Sequence, residues 1–94
     1  MGDFLVAVFH RPGEAVRAHR RLTDAGLSSA IMPSPRGACA SCGLSVRFAF
    51  QDAEAIVQEL KRLLPEPGIF EIYKAIRTGN HHDYLPAPEY LSIQ

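Results

Sequence analysis

Hydrophobic positions fall into a short series of distinct patterns along the chain. Phe4 to Phe9 is an unbroken apolar run rich in strand formers. Its length suits a strand covered on both faces, at the centre of a small sheet. Pro12 and Gly13 break that run, and Pro12 fits the first turn of a helix, where a missing N–H costs little. From Glu14 to Ala25 the residues Ala15, Ala18, Leu22 and Ala25 recur at helical spacing, with Arg17, Arg20, Arg21 and Asp24 on other faces. Gly26 stands where a helix is closed by glycine.

Ser29 to Pro33 reads as a short strand, and its prolines place it at a sheet edge. Leu44, Val46, Phe48 and Phe50 then alternate with Ser45, Arg47, Ala49 and Gln51, the period of a half-buried strand. Asp52 is positioned to cap the next helix. Ala53, Ile56, Val57, Leu60, Leu63 and Leu64 make a single apolar stripe at helical spacing. Pro65 and Pro67 end it, and Ile69 to Ile76 reads as a further strand. Residues 77–94 hold Gly79, Asn80, two prolines and two histidines and read as an extension outside the core.

The predicted order is β-α-β-β-α-β. Two right-handed split β-α-β units of this length predict an α+β, ferredoxin-like βαββαβ sandwich with antiparallel sheet order 4-1-3-2. The expected organisation is one domain over residues 1–76 and an extension over 77–94. Tyr84, Leu85, Tyr90, Leu91 and Ile93 are more apolar than a free tail needs. They predict that the extension packs on its own sheet or exchanges between the subunits of a homodimer.

Composition narrows the function. Ten Lys and Arg balance ten Asp and Glu over 94 residues. A neutral chain lacks the bulk charge that drives nonspecific binding to nucleic acid or anionic membranes. The apolar run at Phe4 is far shorter than the ~20 residues of a membrane span. It also has neither the basic flank nor the cleavage site of a signal peptide. Two cysteines without a secretion signal point to the cytoplasm, where thiols stay reduced.

The predicted topology gathers one set of chemical groups. The end of the first strand, the loop after the second strand and the start of the first helix share one end of the sheet. His10, Arg11, Arg36, Cys39 and Cys42 converge there from distant parts of the chain. Cys39-Ala-Ser-Cys42 is a C-x-x-C pair on a loop bracketed by Gly37 and Gly43. The thiolate is the reactive form of cysteine, and cationic neighbours or a helix N-terminus favour it. Arg11, Arg36 and His10 are the candidate cations, and Gly43 would admit another backbone closely. Two small buried cysteines and a surface histidine are the plainer reading of the same residues. Thioredoxin-type exchange is disfavoured because the pair precedes a strand and not a helix. One C-x-x-C supplies half of a zinc site, so metal would require a second subunit or His81 and His82. No cofactor is called for.

The segment from Pro33 to Phe48 resembles a small bacterial family, the selenium/sulfur carrier protein-like domains. The shared parts are the strand ending at His10, Pro33-Ser-Pro-Arg36, and Ser41-Cys42-Gly43 leading into an alternating strand. The resemblance covers about residues 4 to 76. It implies a carrier more than a turnover enzyme, with Cys42 as acceptor and donor of a persulfide or selenium adduct. Cys39 lies outside the family pattern and could resolve a Cys42 persulfide. The partners so implied are a cysteine desulfurase or other sulfur or selenium donor, and an acceptor protein. A binding or regulatory module, using the open sheet face or a metal shared between subunits, is the alternative.

Overall fold

The computed structural model describes residues 2–11, 13–35 and 43–93. Strand β1 is Phe4–Phe9, helix α1 Glu14–Asp24, strand β2 Ala30–Pro33 and strand β3 Leu44–Phe48. Helix α2 is Ala53–Leu63, strand β4 Phe70–Thr78 and strand β5 His81–Pro86. Short 3₁₀ turns precede α2 at Phe50–Asp52 and end the chain at Pro88–Ser92. The class is α+β, one antiparallel sheet with two helices.

The strands lie in the order β2-β3-β1-β4-β5. This differs from the expected four-stranded order 4-1-3-2 by a fifth strand outside β4. β1 is central and buried at all six positions, as an unbroken apolar run requires. One face, with Leu5, Ala7 and Phe9, joins Ala15, Ala18 and Leu22 of α1 and Ile56, Val57 and Leu60 of α2 in the main core. The other face, with Phe4, Val6 and Val8, joins Tyr73 and Ala75 of β4, and Met32 and Tyr84 pack against it. α1 ends in paired backbone bonds, Leu27 N–H to Leu22 O at 2.8 Å and Gly26 N–H to Thr23 O at 3.0 Å. That closure needs a left-handed residue, and Gly26 supplies it with φ +76°.

Three local expectations are corrected. Asp52 occupies the N-cap position of α2, yet its side chain makes no capping bond. Phe50 does not extend β3; it begins the 3₁₀ turn and is exposed. Residues 77–94 are not outside the core. β4 runs on to Thr78, and β5 pairs with it from Tyr73↔Pro86 to Thr78↔His81. Ala87 is buried in the main core, and its N–H donates to Ile72 O at 2.8 Å. Lys61 Nζ on α2 donates to Leu91 O, and to Ile93 O at 2.6 Å. The tail folds back over the helical side of its own sheet. Pro12 lies outside the described residues.

Candidate functional site

The register fixes which groups meet at the end of the sheet. β2 and β3 pair through Met32↔Ser45 and Pro33↔Leu44. The ladder continues one step, with Ser34 N–H donating to Gly43 O at 2.9 Å. Ser34 and Ser45 also join through their hydroxyls at 2.7 Å. β1 pairs with β3 as far as Val8↔Ser45 and with β4 as far as Phe9↔Phe70. The end of β1 is therefore flanked by Gly43–Ser45 on one side and by Ile69–Glu71 on the other. His10 N–H donates to Ile69 O at 3.1 Å and continues that ladder.

Side-chain direction follows from the pleat, because alternate residues share a face. His10 lies on the face of Val6 and Val8, away from the helices. Val8 pairs with Glu71, so Glu71 is the diagonal neighbour of His10 on that face. His10 Nε2 lies 3.2 Å from Glu71 Oε2. Tyr73, two residues along β4, donates its hydroxyl to Glu71 Oε1 at 3.2 Å. Both oxygens of one carboxylate are thereby engaged. His10 is three-quarters covered, whereas Glu71 is about half exposed.

Arg11 points elsewhere. Its guanidinium donates to Glu14 at 2.9 Å and stands 3.8 Å from Glu66. Glu14 is buried in the first turn of α1 and also accepts from Arg17 at 2.6 Å. This acid–base cluster occupies two of the groups expected at the site. Arg11 is half-exposed and has carboxylate partners in Glu14 and Glu66. The positive end of α1 is already met by the Glu14 carboxylate, the favourable sign at a helix N-terminus.

Gly43 is at the expected place, on the first residue beyond the loop, but its φ is outside the left-handed region. Arg36, Cys39 and Cys42 lie outside the described residues. Of the expected site, the described structure places His10 just past β1, bonded to Ile69, and Gly43 just before β3, bonded to Ser34, and pairs Arg11 with Glu14 and Glu66. Glu71, Tyr73, Glu14 and Glu66 were missed as partners. The first two were accessible in principle, since counting back along antiparallel strands 1 and 4 sets an acidic residue beside His10.

The face of the sheet away from the helices offers little apolar surface. Val6, Val8 and Ala75 are fully buried there, although neither α1 nor α2 packs on that face. An apolar cleft of about 430 Å³ lies on the helical side between the turn after α2 and the tail, lined by Leu64, Pro65, Ile69, Phe70 and Leu91. Lys61 borders it, with its ammonium committed to backbone carbonyls. No group of three or more potential metal ligands occurs among the described residues. No helix among them is long and apolar enough to cross a membrane.

The fold thus defines a small α+β domain with a histidine–carboxylate pair, His10 and Glu71, at one end of its sheet. The profile of the family described as "Putative Se/S carrier protein-like" matches residues 4–74, and the chain belongs to that family. Comparison with curated proteins and with solved structures finds no match.

Proposed function

We propose that this protein carries sulfur or selenium as an adduct of Cys42, taking it from a donor protein and passing it to an acceptor. The reading is supported by membership of the carrier family over residues 4–74. The strands on both sides of the cysteine loop are also tied together, by the Ser34–Gly43 ladder bond and the Ser34–Ser45 hydroxyl bond. A rigid base presenting a thiol to two successive partners is what a carrier needs.

For sulfur, the donor is a protein persulfide, as a cysteine desulfurase forms from free cysteine. The Cys42 thiolate attacks the outer sulfur of the donor persulfide. The new S–S bond forms on Cys42 as the donor's S–S bond breaks. The donor leaves as a thiolate, so the step is a transfer that needs no external oxidant. Delivery is the same exchange with the acceptor thiolate attacking. Cys39 could end the cycle differently, by attacking the inner sulfur of the Cys42 persulfide and releasing hydrosulfide as the disulfide forms.

Intact mass measured without reductant, before and after incubation with a cysteine desulfurase and cysteine, tests this. A reductant-sensitive adduct of one sulfur is expected on Cys42, absent from Cys42→Ser and present in Cys39→Ser. Equal loading of the wild type and Cys42→Ser overturns the assignment.

A further inference from the structure

We infer that the outer edge of β5 is a self-association surface, pairing antiparallel with β5 of a second copy of this chain about a two-fold axis at Tyr84. The inference uses no cysteine and stands apart from the carrier reading. It starts from the direction of backbone groups. Ala87 N–H donates inward to Ile72 O at 2.8 Å, continuing the β4–β5 ladder. Backbone groups alternate sides along a strand, so Leu85 and Asp83 also turn theirs towards β4. His82, Tyr84 and Pro86 turn theirs outward. β5 is the outermost strand of the sheet, so these groups have no ladder to join within the molecule.

The sheet's other edge is closed to the same use. Ser34 N–H donates inward to Gly43 O, which turns the nitrogens of Ile31 and Pro33 outward. Pro33 has no N–H, and β2 is only four residues long. Its outer row therefore holds the donor of Ile31 alone, a usual way of blunting an edge. β5 is six residues long and has its proline at the last position. The donors of His82 and Tyr84 stand next to each other in its outer row.

Symmetry then selects the register. A two-fold axis normal to the sheet keeps every side chain on its own face. An axis at Asp83 sets two carboxylates directly opposite each other, which is unfavourable. An axis at Leu85 pairs Tyr84 with Pro86 and loses half of the bonds for want of the proline N–H. An axis at Tyr84 avoids both faults. Tyr84 and its copy exchange two bonds, and each His82 N–H donates to Pro86 O of the other chain. The seam is then apolar on both faces. Tyr84 meets Tyr84 of the second copy on the face where it already packs beside Phe4 and Val6. Leu85, at 53% the most exposed large apolar side chain among the described residues, lies diagonal to its copy on the other face, roughly 7–8 Å away. Directly opposite Leu85 stands Asp83 of the second copy, whose carboxylate accepts from Thr78 and lies 3.6 Å from His81 in its own chain. So short a seam makes a weak dimer, dissociating in the micromolar range.

The test uses the full chain with reductant present, so that no disulfide contributes. Sedimentation velocity between about 1 μM and about 1 mM is expected to show a monomer–dimer equilibrium. In a mixture of labelled and unlabelled chains, an isotope-filtered NOE is expected between Hα of Asp83 and Hα of Leu85 of the other chain, a pair that is not hydrogen-bonded and so approaches closely. Leu85→Asp opposes carboxylate to carboxylate across the seam and is expected to raise the dissociation constant by about tenfold or more. Leu85→Lys faces the same Asp83 with the opposite charge and is expected to keep the dimer. The side chain is exposed, so circular dichroism should show both variants folded. A monomer throughout the concentration range overturns the inference. So does a dimer that the two substitutions weaken equally or leave unchanged. A dimer whose new amide protection falls on Ile31, and not on His82 and Tyr84, overturns it as well. Should Leu85→Asp fail to fold, the NOE and the amide protection of the wild type decide.

Discussion

Ser34 and Ser45 join hydroxyls at 2.7 Å across the two strands that lead into and out of the cysteine loop. Ser45 is completely buried, between Val8 and Met32 in the pairing of the central and edge strands. A buried hydroxyl is tolerated only when bonded, so this pair is a polar clasp on the sheet face away from the helices.

Ser45→Ala removes the clasp without adding bulk. The expected loss is about 1 kcal/mol, the usual net value of one hydrogen bond. In a domain of this size it corresponds to a fall in Tm of roughly 4–8 °C. Urea unfolding monitored by circular dichroism checks it. An unchanged midpoint with an unchanged slope would show that the clasp contributes nothing to folding.

The tail invites a second substitution. Lys61 donates to the carbonyls of Leu91 and Ile93, and Tyr90, Leu91 and Ile93 pack on the main core. Lys61→Met keeps the apolar stem and removes the donors. It is expected to cost about 1–2 kcal/mol, since bonds to a charged donor are worth more than neutral ones but this one is partly exposed. Limited proteolysis should then cut first within residues 87–93. Equal protection of the wild type and the variant would refute the tether.

Much of this architecture was legible because it is written in periodicity. The alternation of Leu44, Val46 and Phe48 and the stripe Ala53, Ile56, Val57, Leu60, Leu63 and Leu64 each predict one buried face; all are buried except Leu63, which is half-buried, and Leu44, which is exposed at the strand end. β5 was not legible that way. His81-His82-Asp83-Tyr84-Leu85-Pro86 is an edge strand whose side chains are exposed or half-exposed, so burial imposes no pattern on it. Its one signal was Gly79-Asn80, a two-residue hairpin turn. Thr78 pairs with His81 around it, and Gly79 takes φ +65°. At the site, the meeting of His10 with Glu71 spans 61 residues. It depends on strand register, which composition and local spacing do not encode.

Glu59 makes a prediction about pH. On α2 it accepts from Arg21 of α1 at 3.2 Å and also pairs with Arg62. The hydrogen bond from Arg21, helped by Arg62, holds its carboxyl below the ordinary glutamate range. The unfolded chain binds more protons there, so stability rises with pH between the folded and unfolded values. The contribution is present above the unfolded pKa and is lost as pH falls through the folded one. Glu59→Gln should therefore flatten the acid limb of a stability–pH curve, and salt should shrink the difference. Carbon NMR titration of Glu59 checks the direction. A midpoint in the ordinary glutamate range would contradict it.

Gly43 separates a role in folding from a role in docking. Its backbone is outside the left-handed region, and a Cβ built there meets nothing among the described residues within 4 Å. Alanine at such a position is tolerated and stabilises by about 0.4–1 kcal/mol, because it narrows the unfolded ensemble. Gly43→Ala is therefore expected to unfold at the same or a slightly higher urea concentration than the wild type. If the glycine serves close approach of a donor protein to the neighbouring Cys42, the same variant should load sulfur from the desulfurase more slowly. Its alkylation by a small reagent, which needs no docking, should be unaffected. Loading at the wild-type rate would show that the glycine serves neither folding nor approach. A loss of stability would instead place its role in the structure of the strand end.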